Sequence, residues 1–122
     1  MEHRIGEPPV RRYPRMVAEY PLSYRRSLPG GGEGESEYSR TRSLGLGGLM
    51  FESESPLERG QSLHMELALG DWTVAALGTI VYVDRNDGGP WQIGVQFTTL
   101  SEDDRDALLG VYLHREYRIP LT

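Results

Sequence analysis

SLHMELALGDWTVAALGTIVYVDRNDGGPWQIGVQFT, residues Ser62 to Thr98, decides the fold of this chain. Ser62–Leu69 alternates strictly and sets Leu63, Met65, Leu67 and Leu69 on one face, the pattern of a half-buried strand. Gly70-Asp71 is a turn pair. The stretch that follows, from Trp72, is long and rich in β-branched residues, with Gly78 predicted at a bulge. Asn86-Asp87-Gly88-Gly89-Pro90 is a further turn, and Trp91–Thr98 places Trp91, Ile93, Val95 and Phe97 on one face.

Upstream the same grammar continues. Met16, Ala18, Tyr20, Leu22 and Tyr24 alternate, which predicts one strand over 16–24. The Gly- and Glu-rich stretch 27–37 reads as a loop. Two short strands, 38–43 and 48–53, are joined through Gly45, Gly47 and Gly48. With 61–69, 72–84 and 91–98 this makes six strands at short spacing, the signature of a small all-β antiparallel barrel or sandwich. Tyr20, Leu22, Leu49, Phe51, Leu63, Met65, Leu67, Val81, Val95 and Phe97 are its expected core.

Downstream the period changes. Ser101 is an N-cap candidate with Asp104 at the capping-box position, and Glu102, Asp103 and Asp104 load the first turn with negative charge. Leu108, Val111, Tyr112 and Arg115 share a face, which predicts one C-terminal helix over 101–116, with Leu108 and Val111 buried. The 122 residues therefore read as an arm (1–15), one domain (16–117) and a tail (118–122). The arm holds Pro8, Pro9 and Pro14 and few apolar residues, and is expected to be extended and mobile.

Composition excludes several chemistries. There is no Cys, hence no disulfide, thiolate nucleophile or Cys-based zinc site. All thirteen basic residues are Arg, so neither a P-loop Lys nor a Schiff base is available. No run of apolar residues is long enough to span a membrane, and Met1–Arg15 lacks the apolar stretch of a signal peptide, so a cytoplasmic protein is expected. His3, His64 and His114 are scattered, Asp84–Gly89 lacks the ligands of a calcium loop, and no Gly-x-Ser-x-Gly elbow occurs. No catalytic constellation remains, and no metal or cofactor is expected. Residues 1–42 carry eight Arg against six acids (+2), whereas 43–122 carry five Arg against twelve acids (−7). An acidic body disfavours long nucleic acid.

Two motifs are left. Arg11-Arg12-Tyr13-Pro14-Arg15 offers three planar guanidiniums, which suit phosphate or guanine. Thr41-Arg42-Ser43-Leu44-Gly45-Leu46-Gly47-Gly48-Leu49-Met50-Phe51 offers main-chain donors and close approach through its glycines. In this order, and with Leu100-Ser101-Glu102-Asp103-Asp104-Arg105 closing the pattern, they resemble a PilZ domain from Arg11 to about Leu113. Arg11 and Arg15 match the family's Arg-x-x-x-Arg. Its Asp/Asn-x-Ser-x-x-Gly aligns on Ser43 to Gly48, with Ser43 at the Asp/Asn position and Gly45 at the Ser position.

The resemblance implies a six-stranded antiparallel β-barrel with one C-terminal α-helix, and a non-enzymatic bacterial receptor for cyclic di-GMP. It implies ligand contacts from Arg11, Arg12, Arg15, Ser43, Gly45 and Gly48, with arm closure presenting a surface to an effector protein. Because Ser43 and Gly45 depart from the motif, two side-chain hydrogen bonds of roughly 0.5–3 kcal/mol each are absent or altered. The alternative is an adaptor of the same fold that acts through protein contacts without nucleotide. A third reading, an unrelated barrel for single-stranded nucleic acid, lacks the stacking aromatics and basic groove such modules use.

Overall fold

The computed structural model describes residues 16–85 and 87–117. Its elements are β1 (Met16–Val17), β2 (Pro21–Arg26), β3 (Glu37–Leu44), β4 (Gly48–Ser53), β5 (Ser62–Leu69), β6 (Trp72–Arg85), β7 (Trp91–Leu100) and α1 (Glu102–Tyr117). All pairings are antiparallel, in the order β1-β3-β2-β5-β6-β7-β4, and a β3–β4 pairing closes the sheet. The result is a six-stranded barrel, because β1 and β2 lie end to end along the same side of β3.

The predicted strand over 16–24 is thus broken in two, and the register shows why. Val17 faces Ser43 and Pro21 faces Arg40, four steps on one side against three on the other. One surplus residue must bulge between them. At the same level β3 carries its own surplus residue, Arg42, because Thr41 faces Phe51 while Ser43 faces Met50. The gap is filled by the buried Thr41, whose hydroxyl donates to the Ala18 carbonyl (2.5 Å) and accepts from the Tyr20 amide (2.9 Å). The two residues pushed outward, Glu19 and Arg42, meet at 3.8 Å.

Elsewhere the ladders follow the alternation. Leu69 faces Trp72 across Gly70-Asp71, and Gly70 has φ +78°, as a two-residue hairpin turn with a primed geometry demands. The core is drawn from every barrel strand and holds Leu22, Leu44, Leu49, Phe51, Leu63, Met65, Leu67, Val74, Ile80, Ile93 and Val95. Of two expectations for β6, the bulge at Gly78 is present and the burial of Val81 needs correction. The bulge at Gly78 puts its surplus residue on the facing strand, since Leu77 faces Thr99 and Gly78 faces Phe97. Val81 is only half-buried, because Ile80 faces Val95 and Tyr82 faces Gly94, which leaves Val81 as the surplus residue. Ile80 takes the core place instead. Tyr20, Phe97 and Val111 pack at the core's edge, half-buried.

The helix starts as its N-cap predicts: Ser101 Oγ accepts from the Asp104 amide at 3.1 Å. The Asp104 carboxylate does not complete a capping box. It reaches β6 instead, accepting from Trp72 Nε1 (2.9 Å) and from the Ala75 amide (3.2 Å). This holds the start of α1 to the barrel while Leu108 and Tyr112 bury the helix's apolar face. α1 packs on β6 and also touches β1.

Candidate ligand-binding hairpin

The β3–β4 turn, Gly45-Leu46-Gly47, brings together three of the residues singled out in the sequence: Ser43, Gly45 and Gly48. Leu44 and Leu46 are buried and anchor its apolar side. The Gly45 amide donates to the Gly48 carbonyl at 2.9 Å and closes the turn. The Phe97 amide donates to the Gly47 carbonyl at 2.9 Å and ties the turn to β7. Gly48 is packed against β7 so closely that a Cβ there would overlap the Val95 carbonyl oxygen, whereas one on Gly47 would meet open space. Main chain, not side chains, shapes this surface.

Ser43 lies half-buried between Val17 on β1 and Met50 on β4. Its neighbour Arg42 points outward at the bulge, loosely shared between Glu19 (3.8 Å) and Glu52 (3.9 Å). Arg11, Arg12 and Arg15 lie outside the described residues. Covalent geometry still bounds their reach. Met16 faces Leu44, next to the turn. Arg15 is one peptide unit from Met16, and Arg11 is at most about 18 Å away along an extended chain.

A second feature escaped the sequence reading. A surface cleft of about 560 Å³ opens between the first half of β3 and the end of β4, lined by Glu19, Tyr24, Glu37, Tyr38, Ser39, Arg40, Arg42, Glu52, Ser53, Glu54, Ser55 and Pro90. At its floor the Tyr24 hydroxyl meets Ser53 Oγ at 3.3 Å. Burial pushes the Tyr24 phenol above its ordinary range, and the hydrogen bond with Ser53 pulls the other way. No motif signals such a cleft, because it depends on where two strands part.

The remaining candidates fall into place as structure. His64 Nδ1 lies 3.3 Å from Glu33, which also pairs with Arg25 at 2.8 Å, fastening the 27–36 loop to β2 and β5. Of the Asp84–Gly89 stretch, Asp84 and Arg85 end β6 and Asn86 lies outside the described residues; Arg85 Nε donates to the Gly89 carbonyl at 3.1 Å and its guanidinium lies 4.9 Å from the Trp91 ring centre. Among the described residues no group of three or more His, Asp or Glu side chains could hold a metal ion, and no helix is long and apolar enough to cross a membrane.

Comparison with known proteins agrees with this architecture. The PilZ domain family model matches residues 9–113. Among solved structures, the inhibitor of motility MotI/DgrA of Bacillus subtilis superposes with a TM-score of 0.74 at 14% identity, covering 90% of this chain and 53% of that one. The chain thus spans about half the length of that protein. The PilZ domain of YcgR from Escherichia coli, solved with c-di-GMP, gives 0.64 at 20% identity, covering 88% of this chain and 94% of that domain. MrkH of K. pneumonia, also solved with c-di-GMP, gives 0.69 at 19% identity, covering 90% and 54%. No curated protein matches. With the family model matched over residues 9–113 and the barrel, bulges and terminal helix in place, the chain belongs to the PilZ domain family.

Proposed function

We propose that the protein is a non-enzymatic receptor for cyclic di-GMP, which binds between the arm arginines and the β3–β4 hairpin and switches a protein-interaction surface. The observation that carries the reading is the β1–β3 register. Met16 faces Leu44, so the segment that carries Arg11, Arg12 and Arg15 joins the barrel next to the hairpin of Ser43, Gly45 and Gly48, which supports contact between the two. Guanidiniums offer paired donors to phosphate and to the guanine edge, and a hairpin bare of side chains lets a flat base approach its main chain. Two similar domains were solved with this nucleotide.

The coupling to a partner would run through β1, which is joined directly to the arm and touches α1. Drawing the arm onto the hairpin pulls on β1 and so on the helix. The effector is another protein, and the receptor works in the cytoplasm.

A second reading has its own observation. Ser43 and Gly45 lack the carboxylate or amide and the hydroxyl of the family motif. The adaptor reading takes this as loss of the nucleotide, with protein contacts retained. Titration calorimetry with cyclic di-GMP, against GTP and linear dinucleotide, separates the two. Saturable heat specific to cyclic di-GMP supports the receptor; no heat at about 100 μM ligand, a free energy short of about 5.5 kcal/mol, supports the adaptor.

A further inference from the structure

Beyond Thr41 the barrel wall is not laced shut. β3 and β4 pair from Leu44 and Leu49 to Thr41 and Phe51. Among the described residues, Glu37 to Arg40 then pair with β2 alone, while Glu52 and Ser53 pair with β7 alone. The β3 edge facing β4 is left, among the described residues, without a paired strand for four residues, about 13 Å. The Thr41 amide donates to the Tyr20 carbonyl. Alternation along the ladder therefore turns the amide and carbonyl of Tyr38 away from β2 and into the opening. The Ser39 hydroxyl, donating to the Glu52 carbonyl at 2.6 Å, spans its narrow end. Below, Tyr24 and Ser53 seal the core, so the opening is a shallow cleft on the surface.

The cleft has a charge preference. Its lining holds Glu19, Glu37, Glu52 and Glu54 against Arg40 and Arg42. Arg42 is shared by two of these carboxylates and Glu37 pairs with Arg26, while Glu54 and Arg40 are both exposed, so with Arg26 counted the cleft keeps a net negative charge of one. Tyr38 stands 80% exposed on the same strand, an aromatic face for a cation. Natural barrels normally blunt or cover an open edge. This one joins main-chain groups that call for a strand with side chains that call for positive charge.

We infer that the cleft docks an extended, Arg- or Lys-bearing segment of a partner protein, which adds as a short strand to the Glu37–Arg40 edge of β3. The inference rests on the receptor reading only in identifying that partner with the effector.

The test uses the full chain and a labelled nonapeptide of alternating Arg and Thr. Saturable binding by fluorescence polarisation is expected. Loss of at least tenfold in affinity is expected on N-methylation of alternate peptide amides, which removes strand pairing and keeps the charge. A similar loss is expected for Glu19→Lys combined with Glu54→Lys in a protein that melts like wild type. The Tyr38 amide should gain hydrogen-exchange protection on binding. Equal binding of the methylated peptide, or of the charge-reversed protein, would overturn the proposal in favour of non-specific adsorption. So would a Tyr38 amide already protected in the free protein, if that protection grows with protein concentration or vanishes when Arg11, Arg12 and Arg15 are replaced by Ala. The first points to a second copy in the cleft, the second to the chain's own arm. Calorimetry with cyclic di-GMP on the unaltered chain keeps the two readings apart: nucleotide binding without peptide binding there sinks this inference alone, and the converse sinks the receptor reading alone.

Discussion

The hydroxyl of Thr41 on β3 donates to the carbonyl of Ala18 at 2.5 Å, across the break between β1 and β2. The same oxygen accepts the Tyr20 amide, and Thr41 is fully buried. One side chain therefore satisfies both main-chain groups that the bulge removes from the ladder.

Replacing Thr41 with Val should keep the shape and strand both partners. A cost of about 2–4 kcal/mol is expected, whereas Thr41→Ser, which keeps the hydroxyl, should cost about 1 kcal/mol. Urea denaturation of the three proteins checks this. Equal loss in Val and Ser variants would mean that packing of the methyl group, not hydrogen bonding, holds the break together.

The hairpin glycines should separate by substitution. Gly48→Ala drives a methyl into the Val95 carbonyl and should destabilise the fold by about 1–3 kcal/mol or more. Gly47→Ala meets open space and should leave the melting temperature within a few degrees of wild type. A Gly48→Ala protein as stable as wild type would show that β4 shifts away from β7 without penalty.

For the arm, Arg11→Ala and Arg15→Ala should each weaken cyclic di-GMP binding by about 1.5–3 kcal/mol through loss of charge-assisted contacts. Melting temperature is expected to stay unchanged. Calorimetry and melting curves on the same samples decide it, and unaltered affinity would remove the arm from the mechanism.

Restoring the family side chains should strengthen the site. Ser43→Asp with Gly45→Ser is expected to tighten cyclic di-GMP binding by about 1–3 kcal/mol. Gly45 is not among the left-handed glycines, so no φ strain opposes a side chain there, but the residue is buried, and Ser43→Asp alone is the cleaner variant. If Ser43→Asp folds normally and binds no better, the ligand does not dock at this hairpin.

Alkaline pH supplies a further check. Burial raises the Tyr24 pKa above 10.0, so the folded state holds this proton more tightly than the unfolded chain. The associated stability is complete below pH 10.0 and is lost as pH rises through the higher folded value. Tyr24→Phe should be less stable than wild type at pH 7, having lost the contact with Ser53, and should fall more shallowly above pH 10.0. Parallel melting curves across that range would contradict it.

Much of this architecture was readable in the residues. Alternation in Ser62–Leu69 and the turn at Gly70-Asp71 sufficed for β5 and the start of β6, because an exposed two-residue turn and a one-sided strand leave a period of two. Ser43, Gly45 and Gly48 were legible as one hairpin for the same local reason. What stayed hidden depends on counting across strands. The surplus residues at the β1–β2 break, at Arg42 and at Val81 leave no mark in their own segments, since each is a mismatch with a distant partner. Asp104 looked like a capping residue because its spacing from Ser101 is local, while its true partner, Trp72, is 32 residues away. The Glu37–Arg40 cleft was invisible for the same cause.

That last contact turns the two tryptophans into separate optical reporters. Trp72 is half-exposed and hydrogen-bonded to the first turn of α1, whereas Trp91 sits under the Arg85 guanidinium at the far hairpin. Light emitted from the first will respond when the helix lifts away; emission from the second will not. With Trp91→Phe as the silent background, fluorescence lifetimes can follow the helix alone while nucleotide or peptide is added, on a chain carrying no foreign dye.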